Sequence, residues 1–287
     1  MLKSLIKSMR LRTLPLSLAG VVCGGLLAMG GHGDRWLVFV LVALTACLLQ
    51  VLSNLSNEMG DYKSGVDNAD RQGPSYGMAN GLTERQLWNA INGTVVACCV
   101  SGLIMVLASG CPWWILLLGA SAVWAATHYT LGKNPYGYRG LGDLFVFIFF
   151  GLVSVLGSHY VVNQEPIYNW YHILMPAAGI GFLSVAVLNV NNIRDIESDR
   201  GLRKTVALRL GERRAKWYQT IMVVLGVGCF YCWSPFAVLL WGLPIPLFVW
   251  HLYGVWTRKG HELDPMLPVL VIATFLVSLL YGICVSI

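Results

Sequence analysis

The sequence predicts an all-α, polytopic membrane protein, and three observations carry that prediction. The 287 residues are 56% hydrophobic and only 12% charged, about half the charge fraction of a soluble domain. Apolar runs recur along the whole length, each near the ~20 residues that a bilayer-spanning helix needs. Lys and Arg fall almost entirely in alternate gaps between those runs, as expected when basic loops stay on one side of a membrane.

About nine runs qualify as spans, at 13–30, 36–57, 85–109, 112–131, 141–162, 171–193, 215–233, 235–256 and 265–286. Before the first, Met1 to Arg12 has the basic character of a leader, but Gly20 to Met29 continues as a span without a small-residue cleavage site, so no cleavable leader is expected. Gly20-x-x-x-Gly24 in that span permits close helix packing. The fifth span opens with Phe145, Phe147, Phe149 and Phe150, which could line an apolar chamber but read more simply as a packing stripe. The seventh and eighth are divided only by Trp233, Ser234 and Pro235.

With the N-terminus inside the cell, the cytoplasmic loops carry Lys3, Lys7, Arg10, Arg12, Lys63, Arg71, Arg85, Lys133, Arg139, the basic stretch from Arg194 to Lys216, Arg258 and Lys259, while the opposite side keeps only Arg35. The net charge of +6 is thus scattered over separate loops rather than gathered on a face suited to nucleic acid. The chain is expected to form one domain over 1–287, a bundle of two related four-helix halves plus a ninth helix. The eight cysteines lie mostly inside apolar runs, Cys229-x-x-Cys232 among them, and the six histidines show no ligand spacing. Neither a disulfide framework nor a zinc site is implied.

Two polar stretches break the apolar pattern. Asn54 to Asp67 reads N-L-S-N-E-M-G-D-Y-K-S-G-V-D after the second span. If the helix continues, Asn54, Asn57 and Asp61 share one face, with Glu58 one step round, until Gly65 breaks it before Asp67. Asn191 to Asp199 reads N-N-I-R-D-I-E-S-D after the sixth span, and Asn191, Asp195 and Asp199 would share a face too. Either stretch alone reads equally well as solvated loop charge with helix caps. Together, after similar spans at corresponding ends, they point to function, because ionisable groups at membrane depth are costly. Carboxylate and amide oxygens suit Mg²⁺, which takes few protein ligands plus water and phosphate oxygens.

Three loops adjoin these stretches. Loop 58–84 is long, polar and glycine-rich, a length often tied to function. Loop 128–143 reads H-Y-T-L-G-K-N-P-Y-G-Y-R-G-L-G-D; alone it would be an interfacial aromatic belt with topology charges. Loop 194–216 is the most basic, and Arg194, Arg203 and Lys204 lie near enough to the second stretch to help hold a polyanion. Part of that charge is topology signal and lipid-headgroup contact. Acidic clusters flanked by Lys and Arg make a site for metal-bound phosphate, where the metal stabilises a departing group. In a bundle beside lipid, a diphosphate carrying a long isoprenyl tail fits. Its ionisation gives an allylic cation that a dry, aromatic-lined pocket would protect, and the acceptor would be an electron-rich aromatic ring.

On these residues the chain resembles the UbiA-type superfamily of intramembrane prenyltransferases. N-E-M-G-D at 57–61 is similar to the family's N-D-x-x-D, with Glu58 for the usual Asp, and D-I-E-S-D at 195–199 matches its D-x-x-x-D. D-Y-K-S-G-V-D at 61–67, G-P-S-Y-G-M-A-N-G at 73–81, the 128–143 loop, F-F-G at 149–151, and N-N-I-R-D-I-E-S-D-R at 191–200 running on to K-T-V-A-L-R-L-G at 204–211 resemble the branch acting on 1,4-dihydroxy-2-naphthoate in menaquinone synthesis. The similarity runs from about Arg10 to Gly211; the last three spans add little.

The resemblance implies two Mg²⁺ ions on Asn57, Asp61, Asp195 and Asp199, with support from Asn54, Glu58, Asp67 and Asn192. Lys63, Lys133, Arg139 and Arg194 would contact the diphosphate, and Tyr129 would sit near the reacting carbon, with Asp61 and Asp195 as its catalytic companions. Arg71, Tyr76 and Tyr138 are candidates on the acceptor side. The substrates implied are a polyprenyl diphosphate and 1,4-dihydroxy-2-naphthoate, with loss of the carboxylate. The setting implied is membrane lipid, with no obligate protein partner, in a bacterial cytoplasmic membrane with the site on its cytoplasmic side. Two departures bear on the acceptor. Tyr76 stands where the G-P-x-R-G pattern has Arg, which leaves Arg71 to substitute, and Leu131-Gly132-Lys133 replaces the usual small-residue pair before the proline.

Other readings are weaker. Within the superfamily the acceptor could be 4-hydroxybenzoate, homogentisate or haem B, against which Gly65-x-Asp67 and Y-T-x-G speak. A CDP-alcohol phosphotransferase needs D-G-x-x-A-R, which is absent. An ion-coupled transporter places its carboxylates near the bilayer midplane between broken helices, whereas these stretches sit at helix ends on one side.

Overall fold

A computed structural model describes residues 2–29, 35–66, 73–164, 170–231 and 242–286. All regular structure among them is helical: α1 Leu2–Met9, α2 Leu14–Met29, α3 Trp36–Ser64, α4 Glu84–Ser109, α5 Ile115–His128, α6 Gly142–Asn163, α7 Tyr171–Arg194, α8 Val206–Leu210, α9 Glu212–Tyr231, α10 Pro244–Thr257 and α11 Met266–Ser286. Each of the expected spans has a helix at its place. Among the described residues six segments are both long and apolar enough to cross a membrane: those containing α2, α3, α4, α6, α7 and α11. The other three fall short for visible reasons. Helices α5 and α10 have 14 residues each, and α9 opens on Glu212, Arg213, Arg214 and Lys216.

Lipid tails are as apolar as Leu, so the helices associate by close packing rather than by escape from water. Helix α7 is the centre of that packing: 72% of its span window is buried against 22% for α3. Ala177, Ile180 and Leu183 from α7 meet Ala19 and Cys23 of α2, Val223 and Phe230 of α9, and Leu270 and Val277 of α11 in one cluster. Gly20 and Gly24 perform the expected close crossing. A Cβ at Gly20 would collide with Ser154 and the Phe150 carbonyl, and one at Gly24 with the Val155 carbonyl.

Helix α6 contains a π-helical stretch, Phe147–Val153, a wide turn often found at functional sites. It divides the four phenylalanines between two duties. Phe145, Phe149 and Phe150 face an internal cavity, while Phe147 packs on Phe182, ring centres 4.9 Å apart. The chamber reading therefore holds for three of the four.

The helices are polar at matching ends. Helix α3 carries its polar stripe near its C-terminus and α7 does the same. A network joins α7, α9, α10 and α11 more deeply: Asn189 Nδ2 donates to Gln219 Oε1 (2.8 Å), Gln219 Nε2 pairs with His251 Nε2 (2.9 Å) and His251 Nδ1 with the Met266 carbonyl (2.9 Å). Such bonds fix helix order where no water competes.

Candidate active site

The cavity has a volume of about 370 Å³, within the usual range for ligand pockets. On α3 it is lined from Val42 to Asp61, roughly 28 Å at ~1.5 Å per residue. Its far end is mainly apolar, lined by Met105, Ile115 and Val161. Its near end is polar, and that asymmetry follows from the sequence of α3.

Helix α3 continues without a break to Ser64, and Gly65 caps it in the left-handed conformation (φ 73°), its N–H directed to the Asp61 and Tyr62 carbonyls. Asn54, Asn57 and Asp61 therefore lie on one stripe, and all three line the cavity. Asn54 Nδ2 donates to the Met9 carbonyl (2.9 Å) and to Thr13 Oγ1 (3.0 Å), which fastens the N-terminal turn to α3. Thr130 Oγ1 donates to the Ser56 carbonyl (3.0 Å) and is 3.3 Å from Asn57 Oδ1. Gly60 permits that approach, since a Cβ there would stand 2.5 Å from Thr130. Tyr138 OH donates to Asp61 Oδ1 (2.7 Å) and shares a contact with Ser64 Oγ (2.9 Å).

Glu58 is fully buried but turned off the stripe. Its Oε1 accepts the Met78 backbone N–H at 2.6 Å, so it anchors the loop after α3 and does not line the cavity. Asp67 and Arg71 lie outside the described residues, as do Cys232 and the 233–235 turn.

The second stretch is arranged otherwise. Helix α7 ends at Arg194 and Asp195 becomes its C-cap. Asn191 and Asn192 line the cavity. Asp195 does not continue their face, because Arg194 takes it: Nε donates to Asp195 Oδ1 (2.9 Å) and Nη2 to Oδ2 (2.6 Å). Arg194 also reaches Asp264 Oδ1 (2.5 Å) and Asn191 Oδ1 (2.8 Å). A buried guanidinium must be paired, and these partners turn Arg194 away from the cavity. The shared face expected for Asn191, Asp195 and Asp199 is thus broken where the helix stops.

Asp199 is reached by a further turn, its N–H bonded to the Asp195 carbonyl (2.9 Å). Arg203 Nε is 2.8 Å from Asp199 Oδ1, and Arg203 Nη1 is 3.9 Å from Asp61 Oδ1. One buried arginine therefore stands between the acidic groups of the two stretches, and it lines the cavity. Burial pushes the Asp199 carboxyl up to about 6, against the pull of Arg203, and the charges of Asp195 and Asp61 add to the rise. Asp199 Oδ2 has no hydrogen-bond partner among the described residues, so the desolvated carboxylate rests on Arg203 through Oδ1.

The remaining candidates scatter. Tyr129 lines the cavity with Tyr136 and Phe145; Tyr129 and Tyr136 meet edge-to-face at 5.4 Å, and Tyr136 stacks on Phe145 at 4.1 Å. Lys63 pairs with Glu84 at 2.8 Å, both about half exposed, and lies 5.0 Å over the Trp88 ring. Lys133 and Arg139 are exposed, and the Arg139 carbonyl accepts from Arg209 Nη2 (3.2 Å). Tyr76 OH accepts from Arg12 Nη2 (3.3 Å), and its ring lies 3.7 Å under the Arg10 guanidinium. Among the described residues no three His, Cys, Asp or Glu side chains converge on one point. Arg203 was weighed in the sequence only as one of several cations near the second stretch. Its spacing of four from Asp199 was the available signal.

Residues 17–279 match the UbiA prenyltransferase family. The chain is 42% identical to 1,4-dihydroxy-2-naphthoate octaprenyltransferase of Escherichia coli (strain K12), over 85% of this chain and 82% of that protein. It is 35% identical to the enzyme of the same name from Haemophilus influenzae, over 98% and 95%. Among solved structures it is similar to the apo form of a UbiA homolog from Aeropyrum pernix K1, with TM-score 0.70 and 18% identity over 95% of this chain and 97% of that one.

Proposed function

The chain belongs to the UbiA prenyltransferase family, and on that premise we propose that it transfers a polyprenyl group from a long-chain isoprenyl diphosphate to 1,4-dihydroxy-2-naphthoate. The carboxylate is lost and demethylmenaquinol is formed. The observation that carries this reading is the cavity: Asp61, Asn57, Asn192 and Arg203 at one end, and mainly apolar and aromatic side chains along the rest. The names of the relatives supply the acceptor.

In this reading the diphosphate lies at the polar end and the hydrocarbon tail runs toward Val42 and Val161. The prenyl C1–O bond breaks with its electron pair leaving on diphosphate. A C–C bond forms between the prenyl C1 and the carboxyl-bearing ring carbon, and the bond from that carbon to the carboxylate breaks with its electron pair returning to the ring as carbon dioxide leaves. Tyr129, Tyr136 and Phe145 line the zone where an allylic cation would form, exclude water and offer ring faces to positive charge. Arg203 carries part of the charge on the departing group.

The donor set at Asp61, Asn57, Asp199 and Asn192 suits Mg²⁺, since it offers hard oxygens with room for phosphate and water. Two such ions would neutralise the diphosphate. Asp199 Oδ2, which has no hydrogen-bond partner among the described residues, supports that fit, whereas Asp195 enters only if Arg194 releases it. Nine spans with the N-terminus in the cytoplasm would put this end of the cavity on the cytoplasmic side of the inner membrane. The loop charges support that orientation.

The test is purified protein in detergent with Mg²⁺, a long-chain prenyl diphosphate and either 1,4-dihydroxy-2-naphthoate or 4-hydroxybenzoate, with products identified by mass. A prenylated, decarboxylated naphthoquinol is expected. Prenylated 4-hydroxybenzoate would keep the chemistry and overturn the acceptor.

A further inference from the structure

The polar end of the cavity has a second pole, away from the acidic groups. Arg10 joins α1 to the turn that precedes α2, in the left-handed conformation (φ 47°, ψ 51°), which side chains other than Gly seldom adopt. The geometry is held locally: the Thr13 N–H and Oγ1 both donate to the Arg10 carbonyl at 2.9 Å. It turns the guanidinium inward, onto the cavity wall. The Tyr76 ring covers one face of the guanidinium at 3.7 Å, which leaves its N–H edge free to donate. Arg10 Nε and Nη2 are buried and have no hydrogen-bond partner among the described residues.

Beside it stands an orphan of opposite kind. Gln50 is 8% exposed and lines the same cavity. Its Nε2 is committed to Thr13 Oγ1 (3.0 Å) and Asn54 Oδ1 (3.2 Å), while its Oε1 has no partner among the described residues. Buried donors and acceptors are nearly always satisfied, and a buried charge left alone is the costliest exception. The pair calls for a ligand with an anion for Arg10 and a hydroxyl donor for Gln50. Asn54, fastened to the same Thr13, is ~10 Å from Asp61 along α3 at ~1.5 Å per residue, so this anion is distinct from one held near Asp61 and Arg203. The same cavity is lined by Leu16 and Leu49, a setting for an anion on an apolar ring rather than for a hydrated polyanion.

We infer that Arg10 anchors the carboxylate of the aromatic acceptor and that Gln50 Oε1 receives the neighbouring ring hydroxyl. This rests on the proposed prenyl transfer and names the acceptor-binding residues of that same cavity. The planar fork of Arg matches a carboxylate edge-on. It places the ring against the wall between Arg10 and the acidic end, where the prenyl C1 would be presented.

The experiment measures direct binding of two inhibitors, 1-hydroxy-2-naphthoate and 1-naphthol, to the purified full chain, in wild type and Arg10→Gln, alongside KM for each substrate. Wild type is expected to prefer the carboxylate at least tenfold. Arg10→Gln should lose that preference and raise KM for 1,4-dihydroxy-2-naphthoate at least tenfold, with KM for prenyl diphosphate within twofold. Arg10→Gly, which relieves the positive φ, should show the same split without lowering the unfolding temperature. No carboxylate preference in wild type overturns the proposal whatever the variants do, as does an unchanged preference in Arg10→Gln or a shift confined to prenyl diphosphate. Failure of the parent reading looks different. Wild type would then prenylate no naphthoate, while binding of the two inhibitors would still decide Arg10.

Discussion

Helices α3 and α7 each deliver a polar segment to the same end of the bundle, yet the two segments are built differently. Helix α3 keeps its helical turn through Asp61 to Ser64, so spacing alone aims Asn54, Asn57 and Asp61 into one cavity. Helix α7 stops at Arg194, so its amides Asn191 and Asn192 face the cavity while its carboxylates lie in the turns beyond. There Asp195 is consumed by Arg194, and only Asp199 turns back toward Asp61, across Arg203. Both carboxylate groups sit at helix C-termini, where the helix dipole already disfavours negative charge. Each segment therefore needs a cation. On α3 that need is met from across the cavity, by Arg203, and on α7 largely from within, by Arg194. One segment is thus an open ligand stripe and the other is half ligand, half structural clasp.

That contrast breaks most sharply at the carboxylates. Asp61→Asn and Asp199→Asn are each expected to lower turnover by ~10²-fold or more, the scale seen when one group stabilising developing charge is removed, with the protein still inserting and purifying. Wild-type turnover in either would end the assignment of the polar end as the diphosphate site. Asp195→Asn should behave differently, with loss of thermal stability exceeding loss of turnover per folded molecule.

The clasp itself gives the next effect. Arg194 is 1% exposed and holds both Asp195 and Asp264. Arg194→Leu leaves two carboxylates without their partner, and breaking such a buried pair costs about 3–5 kcal/mol. A clear fall in unfolding temperature is expected, with KM for prenyl diphosphate nearly unchanged. A large KM effect at unchanged stability would restore Arg194 to the substrate.

What the sequence revealed and what it hid follow the same division. The α3 stripe was readable because its cause is local: a continuous helix with a 3.6-residue repeat and Gly65 as its stop. The crossing at Gly20 and Gly24 was readable for the same reason. The end of α7 was not, since Asp264, from a distant loop, decides where Arg194 points. Arg10 was counted only among the topology charges, because nothing in a basic N-terminal segment announces a left-handed residue. In the sequence Tyr76 is a departure that Arg71 should repair, and what the fold adds is a stack of Tyr76 on Arg10.

Glu58 tests whether α3's stripe ends where its helical face ends. Its Oε1 holds the Met78 N–H at 2.6 Å and its Oε2 has no partner among the described residues. Glu58→Gln keeps an acceptor for Met78 but exchanges a charged bond for a neutral one, a difference of about 1 kcal/mol. The expected readout is a small drop in unfolding temperature and faster proteolysis in the loop after α3, with the metal dependence of turnover unchanged. An altered Mg²⁺ requirement would place Glu58 among the ligands.

The smallest effect is expected one turn beyond the stripe. Lys63 lies next to Asp61's turn in sequence, but its ammonium is spent on Glu84 at 2.8 Å, with both side chains 47% exposed. Exposed pairs of this kind contribute about 0–1 kcal/mol. Lys63→Ala should leave the unfolding temperature nearly unchanged and kcat and KM for prenyl diphosphate within about twofold, an outcome steady-state kinetics at two ionic strengths can check. Charge near the mouth could still speed the arrival of an anion, but that contribution fades as salt rises, because screening reaches ~10 Å at 0.1 M. A KM increase that persists at high salt would mean direct contact, and the ligand stripe of α3 would then extend past its cap.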